Sequence, residues 1–182
     1  MGMAAPTYYT AEMVRRLPDD GNRYEVVYGE LLVTPSPRAS HQLVVQRLLV
    51  ALDAYLKVHR VGQVFAAPAD ISWSEDVLVQ PDVFVVEIEQ ARTLDWVRMR
   101  HLPLAIEVIS PSSARADRFT KRRLYQAVGV AAYWVVDVDA AAVEMWTPEA
   151  RVPVVAQDRV TWQPAGAVEP FVLELSELFR PI

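Results

Sequence analysis

The stretch that decides the fold is LAIEVISPSSARADRFTKRRLYQAVGVAAYWVVD, residues 104–137. It begins with the apolar run Leu104–Ile109, and a run that is continuously apolar rather than alternating indicates a strand covered on both faces. A serine-proline break follows, and then a basic segment that is predicted to be a helix from about Ala116 to Val128, closed by Gly129. The stretch ends in a second predicted strand, Ala132–Asp137. It therefore supplies two strands of a sheet and the helix between them.

The residues on either side of this stretch predict a hairpin and several more strands. Gly29-Glu30 separates two strand-like segments, and Gly29 is expected to adopt the positive φ that a hairpin turn needs. Val83–Val86 is a second continuously apolar run, which indicates another strand buried on both faces. The predicted elements outside residues 104–137 are a short helix at Thr10–Leu17, strands at Arg23–Tyr28, Leu31–Thr34, Gln63–Ala67, Ala69–Trp73, Val77–Glu87, Val143–Thr147, Val154–Ala156 and Arg159–Gln163, and a helical turn at Leu175–Phe179.

One long helix is predicted at His41–His59, with Ser40 as its N-cap and Gly62 marking its end. Its apolar residues cover more than one side, which predicts that the helix is covered by the sheet and by a second subunit. We therefore expect a homodimer or a higher homo-oligomer. The order helix, three strands, helix, strand predicts an α/β (α+β) fold with a mixed central sheet and a helix on each face. We expect a single domain over residues 1–182, with its core at about 23–147 and a β-rich C-terminal extension.

The composition excludes several classes of protein. Of the 182 residues, 52% are hydrophobic and 23% charged, which indicates a globular chain rather than a disordered one. The absence of cysteine excludes disulfide scaffolds, thiolate zinc sites and cysteine nucleophiles, and it suits a reducing cytoplasm. The net charge of −5 argues against a surface that binds nucleic acid all over. No targeting or membrane-spanning segment is recognisable, so a cytoplasmic location without a membrane partner is expected.

Two carboxylates and one lysine stand out as candidate site residues. Asp82 follows Gln80-Pro81 at the start of a strand that is buried on both faces, and Glu107 lies inside the apolar run of the next strand. A buried carboxylate costs several kcal/mol unless it has a partner or binds a cation. Lys121 lies on the helix that follows. Because Mg²⁺ binds one or two carboxylates together with water and phosphate oxygens, this set suits a magnesium-dependent phosphodiester site, with Mn²⁺ as a possible substitute.

The helix itself is locally basic, although the whole chain is acidic. Asp117, Lys121 and Tyr125 share one face at helical spacing, and Arg118 with Arg122 forms the neighbouring stripe. This stripe is the candidate surface for nucleic-acid phosphates. Asp117 is also explained as an acid favoured by the helix dipole, and Tyr125 as a core residue.

At these residues the sequence resembles the PD-(D/E)xK nuclease superfamily, and in particular the Uma-type family of restriction-endonuclease-like proteins. The resemblance covers roughly residues 23–146 and is most specific from Glu107 to Trp134. It implies an αβββαβ core, Asp82 and Glu107 as catalytic metal ligands, and a position for the Ile109 carbonyl near the metal. The superfamily's usual lysine position is Ile109 here, and the resemblance implies that Lys121 supplies the amine instead.

The resemblance also places Glu25 and His41 near the site as auxiliary residues. Each has an alternative explanation, Glu25 as a hairpin surface residue and His41 as a polar residue in the first turn of a helix. Together these observations predict a magnesium-dependent endonuclease acting on double-stranded DNA, in which Lys121 stabilises the transition state. Two alternatives remain. One is a catalytically inactive module of the same fold that binds nucleic acid or a protein partner, and the other is a metal-dependent phosphatase for small esters.

Overall fold

The structure, a computed structural model, describes residues 8–182. The elements in chain order are α1 Ala11–Arg15, β1 Arg23–Val27, β2 Glu30–Thr34, α2 Ala39–His59, β3 Gln63–Ala66, β4 Val77–Leu78, β5 Val83–Val86, α3 Ile88–Ala91, a 3₁₀-helix Trp96–Arg98, β6 Leu104–Ile109, a π-helix Ala116–Lys121, α4 Arg122–Ala127, β7 Tyr133–Asp137, β8 Ala142–Trp146, β9 Val154–Ala156, β10 Arg159–Trp162, β11 Phe171–Glu174 and α5 Leu175–Leu178. Within the described residues, no helix combines the length and apolar character needed to cross a bilayer.

A six-stranded mixed sheet with the order β3-β5-β6-β7-β8-β9 forms the centre of the fold. Strands β6 and β7 are parallel, with Glu107 opposite Val135, and the other neighbours are antiparallel. The parallel pair needs a crossover connection, which the helical residues between Ala116 and Ala127 provide. Strand β6 has the predicted bounds, and β7 begins one residue later than predicted. The predicted mixed sheet, with its helix-strand-strand-strand-helix-strand order, is confirmed.

The two faces of this sheet are covered by different helices. On one face Leu48 and Leu52 of α2 belong to a cluster with Ile106 and Val136 of the sheet. On the other face Leu124 of α4 belongs to a second cluster with residues such as Phe84, Ala105 and Val135. Because β5, β6 and β7 contribute to both clusters, their side chains are apolar on both sides. This is the physical reason why their sequences do not alternate.

A smaller antiparallel sheet, β2-β1-β4, packs beside the central one. Here the prediction of one strand over Val77–Glu87 is wrong: the chain leaves the small sheet after Leu78 and enters the central sheet at Val83. Pro81 has no N–H for a ladder, so pairing is interrupted between the two strands. The strand predicted at Ala69–Trp73 is also wrong, since only an isolated bridge joins Ile71 to Val79. This crossing between sheets brings β1 close to the start of β5.

The C-terminal extension packs against α2 and extends the cluster between this helix and the central sheet. Val160, Trp162, Phe171, Leu175 and Leu178 all join the cluster that contains the buried face of α2. In addition, Arg47 donates to the carbonyls of residues 178 and 180, and the Tyr55 hydroxyl donates to that of residue 169. The broad apolar surface of α2 from which we predicted an oligomer is therefore covered largely by the same chain. The oligomer itself stays a prediction.

Three local predictions at chain turns need correction. The two-residue loop of the hairpin is Tyr28-Gly29 rather than Gly29-Glu30, and both residues have positive φ. Helix α2 begins at Ala39 with Arg38 in the N-cap position, so Ser40 lies inside the first turn. Arg60, with φ of 54°, ends α2. Gly62 instead allows close packing, since a Cβ there would lie 2.7 Å from Val85 Cγ1 and 2.8 Å from the Val86 carbonyl oxygen.

Candidate active site

A cavity of about 620 Å³ opens where the N-terminal hairpin of β1 and β2 meets the start of β5, strand β6 and the π-helix Ala116–Lys121. Its walls include three buried carboxylates, Asp82, Glu107 and Asp117, together with Lys121 and His41. Each of these side chains is almost completely buried, between 1% and 9% exposed. Buried ionisable groups require partners, so their contacts show how the site is built.

Asp82 lies just before β5 and is held by three donors. Arg23 Nη1 lies 2.7 Å from Oδ1, while His41 Nε2 and the Val108 amide nitrogen lie 3.1 and 2.9 Å from Oδ2. Burial alone would raise the pKa of Asp82, but the hydrogen bond from His41 and the charge of Arg23 outweigh burial and lower the pKa to about 2. The carboxylate is therefore ionised and fixed in orientation.

Glu107 projects from the middle of β6 and shares its contacts with the following helix. Lys121 Nζ lies 3.1 Å and the Tyr125 hydroxyl 3.0 Å from the same oxygen, Oε1, which leaves Oε2 without a donor among residues 8–182. Burial raises the pKa of Glu107 well above its ordinary value, and the charge of Lys121 opposes this only in part. Any further positive charge near Glu107 would therefore stabilise its ionised form.

Lys121 is surrounded by carboxylates. Its ammonium nitrogen lies 2.7 Å from Glu25 Oε2, 3.1 Å from Glu107 Oε1 and 3.3 Å from Asp117 Oδ1. Burial would lower the pKa of Lys121, but these three charges raise it well above the ordinary value. The contact with Glu107 Oε1 is a hydrogen bond, whereas Asp117 Oδ1 is held only as an ion pair.

Glu25 and Asp117 complete the cluster from opposite sides. The second oxygen of Glu25, on β1, accepts a hydrogen bond of 2.7 Å from the Gln80 amide, which ties the small sheet to the segment that carries Asp82. Asp117 Oδ1 accepts no hydrogen bond from the described residues, and burial raises the pKa of this carboxyl. Tyr133 donates to the backbone carbonyl of Asp117.

Asp117 and Lys121 lie on a π-helix, Ala116–Lys121. A π-helical turn is wider than an α-helical one, is rare, and often occurs at functional sites. Both side chains are buried here, with the helix presenting them to Glu107 on the adjacent strand. The helix was predicted, but its local geometry was not.

The site carries more negative than positive charge. Four carboxyl groups, those of Glu25, Asp82, Glu107 and Asp117, lie with two cations, Arg23 and Lys121, so that acidic groups outnumber these basic ones by two. This excess and the oxygen donors fit a hard divalent cation. No group of three or more His, Asp or Glu side chains in residues 8–182 is already arranged to hold an ion. Asp82 and Glu107 are nevertheless the carboxylates with which the cavity could bind one.

Most of the predicted site residues are brought together. Lys121 joins Glu25, Glu107 and Asp117, and Tyr125 bonds to Glu107. His41 and Asp82 form a second pair, which Arg23 and the backbone of Gln80 connect to Glu25. Arg118 and Arg122 do not line the cavity. Arg118 pairs with Asp137 and Glu144 at 2.9 and 2.7 Å, and the Arg122 guanidinium lies 4.7 Å from the centre of the Trp146 ring. Their contact with nucleic acid stays a prediction.

The residue that the sequence analysis missed is Arg23. It is the first residue of β1, and 59 positions separate it from Asp82, the carboxylate it contacts. No local pattern distinguishes it from the other arginines of the chain. Arg23 lies two residues before Glu25, so both side chains lie where the chain passes from the small sheet to the central sheet. This proximity is visible only once the strand pairing is known.

Comparisons with known proteins agree with this architecture. The model of the Uma2 family, described as "Putative restriction endonuclease", matches residues 11–175. The fold is similar to the crystal structure of a "putative nuclease belonging to DUF820" from Anabaena variabilis, with a TM-score of 0.77 and 19% sequence identity over 94% of this chain and 97% of that one. No curated protein matches the chain.

Proposed function

The chain belongs to the Uma2 family, and from this membership and the contacts in the cavity we propose that it is a metal-dependent endonuclease that hydrolyses phosphodiester bonds in double-stranded DNA. The observation that carries the proposal is the buried cluster itself, in which four carboxyl groups share two cations and burial raises the pKa of Glu107 and Asp117. Burying uncompensated carboxylates is unfavourable unless a cation binds there during function.

We assign the metal to Asp82 and Glu107, with Mg²⁺ as the expected ion and Mn²⁺ as a substitute. When bound, such an ion activates water and offsets the negative charge that develops on the phosphate. Asp82 is suited to this role because Arg23, His41 and the Val108 amide fix both of its oxygens. Glu107 is suited because Tyr125 and Lys121 hold one oxygen and leave the other free.

The other residues of the cluster have supporting roles in this proposal. Lys121 reduces the repulsion between the carboxylates and supplies a preorganised positive charge close to the reacting phosphate. Glu25 and Asp117 hold the ammonium in place from two sides. Burial of the whole cluster strengthens these interactions, since few water molecules screen them.

Cleavage of supercoiled plasmid DNA under single-turnover conditions tests the proposal. We expect Mg²⁺ or Mn²⁺ to support nicking or linearisation, and Asp82→Asn and Glu107→Gln to abolish it. The matched control is Glu144→Gln, because Glu144 is an ion-paired carboxylate of the same sheet that does not line the cavity. Cleavage by Glu107→Gln at the parent rate would contradict the assignment.

A second candidate is a nucleic-acid-binding module without catalysis. It is favoured by one observation, that Lys121 occupies Glu107 Oε1 and no described group of three ligands is ready for an ion. Thermal unfolding distinguishes the two, because a ligand that binds only the folded state raises the midpoint. A catalytic metal site requires that Mg²⁺ raise the midpoint of the parent and that Asp82→Asn and Glu107→Gln lose this increment. A parent that binds DNA but shows neither cleavage nor an increment supports the binding module.

A further inference from the structure

The cations that line the cavity differ in how many of their N–H donors are free. Lys121 is buried and forms ion pairs with three carboxylates. Arg15 pairs with Asp70 at 3.2 Å and is about half exposed. Arg38 lies at the start of α2, is exposed, and forms no ion pair with the residues the structure describes. Arg23 is the one that combines a fixed position beside a candidate metal ligand with free donors.

The contacts of Arg23 use only one of its three nitrogens. Nη1 donates to Asp82 Oδ1 at 2.7 Å and to the Gln80 carbonyl at 3.2 Å. Nε and Nη2 donate to no residue in the described part of the chain, and 22% of the side chain remains exposed on the cavity wall. One end of the guanidinium is therefore anchored while the rest faces the space where a substrate enters.

A guanidinium in this position suits a phosphate. Its planar fork of donors matches two phosphate oxygens, and its charge persists under all physiological conditions. Because Asp82 and Gln80 already fix the group, little conformational entropy is lost when the free donors bind. The Lys121 ammonium, by contrast, lies within 3.3 Å of three carboxylates and would have to weaken one of these ion pairs to contact a phosphate directly.

We infer that Arg23 is a substrate-binding catalytic residue that contacts the non-bridging oxygens of the scissile phosphate, beside the metal ligand Asp82. The inference rests on the proposed function, because it needs a nucleic-acid phosphate in the cavity. It divides the work between two cations: Arg23 contacts the phosphate oxygens directly, and Lys121, held among the carboxylates, contributes its positive charge nearby without that contact.

A double-mutant cycle between protein and substrate tests this inference. The probe is a DNA duplex whose cleavage position has first been mapped with the parent protein, prepared with the normal phosphate or with a neutral methylphosphonate at that position. Binding is measured in the Glu107→Gln background, which prevents cleavage. Loss of a charged hydrogen bond weakens binding about tenfold to a hundredfold. We expect Arg23→Gln and the methylphosphonate each to have this effect, and the two together to have little more than either alone.

The matched control is Arg38→Gln, which removes the same charge from the same cavity without the contact to Asp82. Its effect should add to that of the methylphosphonate. Arg23→Lys keeps the charge but loses the fork, so we expect partial binding that still responds to the methylphosphonate. Additive effects of Arg23→Gln and the methylphosphonate, in a protein that cleaves DNA, would overturn the inference and leave the proposed function intact. A parent that cleaves no duplex would overturn both.

A purely structural role for Arg23 makes a different prediction. If Arg23 served only to orient Asp82, Arg23→Gln would reduce the thermal increment given by Mg²⁺ without DNA. On our inference most of that increment is retained, because His41 and the Val108 amide still hold Oδ2 of Asp82, while the affinity for the normal duplex falls. If Arg23→Gln lost the increment and its effect on binding added to that of the methylphosphonate, Arg23 would position Asp82 and would not contact the substrate.

Discussion

Replacing Lys121 by methionine gives the most direct measure of the forces in the carboxylate cluster. The substitution keeps an unbranched side chain that is one heavy atom shorter and removes the charge, so that Glu25, Glu107 and Asp117 lose their common partner. At separations of 2.7 to 3.3 Å, each ion pair is worth about 5–6 kcal/mol at an effective dielectric constant of about 20, before the cost of desolvating the charges. Breaking buried pairs by removing one partner typically costs about 3–5 kcal/mol. We expect a loss of unfolding free energy in that range at pH 8.

The pH dependence of this loss separates electrostatics from packing. Burial already raises the pKa of Glu107 and Asp117 in the parent, and removal of Lys121 raises both further. A carboxyl group whose pKa is raised in the folded state destabilises the fold as the pH rises and the group becomes ionised. Stability is regained at lower pH, where the group is protonated. The deficit of the variant should therefore shrink between pH 8 and pH 5. A loss due to packing alone would not change over this range.

Urea unfolding, followed by circular dichroism at both pH values, measures these free energies. The matched control is Arg118→Met, since Arg118 also contacts two carboxylates but about a third of its side chain is exposed. Exposed ion pairs contribute about 0–1 kcal/mol, so the control should lose no more than that. The double variant Lys121→Met/Asp117→Asn should regain part of the loss. A deficit below about 1 kcal/mol, or one that does not change with pH, would refute the view that Lys121 neutralises the cluster.

Three further predictions concern acid stability, packing and DNA affinity. The pKa of Asp82 falls from 3.8 to about 2 in the folded state. The ionised carboxylate therefore stabilises the fold above pH 4, and this stabilisation decreases as the pH falls. The difference in unfolding free energy between the parent and Asp82→Asn should shrink by about 2 kcal/mol from pH 5 to pH 2. Gly62→Ala should lower the free energy of unfolding by about 1–3 kcal/mol, since its Cβ would lie 2.8 Å from the Val86 carbonyl oxygen. An unchanged midpoint of urea unfolding would contradict the close packing. If Arg118 and Arg122 each contact a DNA phosphate, charge reversal of both should flatten the slope of log affinity against log salt by about 1.8, whereas an unchanged slope would move the DNA to another surface.

Much of the fold could be predicted because its central strands are apolar on both faces. Leu104–Ile109 has no polar residue except Glu107, so the strand and its exceptional carboxylate were evident together. The errors lie where contacts between residues distant in the sequence determine the bounds and the packing of an element. Val77–Glu87 has the composition of one strand, but Pro81 and the hydrogen bond from the Gln80 amide to Glu25 divide it between two sheets. The broad apolar surface of α2 was correctly recognised as covered on several sides, but the sequence does not show that residues 160–178 belong to the same cluster.

The site was predictable to the extent that helical spacing determines it. Asp117, Lys121 and Tyr125 recur at intervals of four, so any helix places them together, and a basic helix with such a face would ordinarily present Lys121 to solvent. Its burial follows from the charges that it meets: Glu107 from the adjacent strand and Glu25 from the small sheet offset the desolvation of the ammonium. Arg23 shows the opposite case, because its role depends on a pairing across 59 residues that no periodicity encodes. The grouping of residues on one helix face can therefore be predicted from spacing alone, whereas the role of Arg23, whose partner Asp82 lies at the start of a strand in the other sheet, is found only when the sheets are assembled.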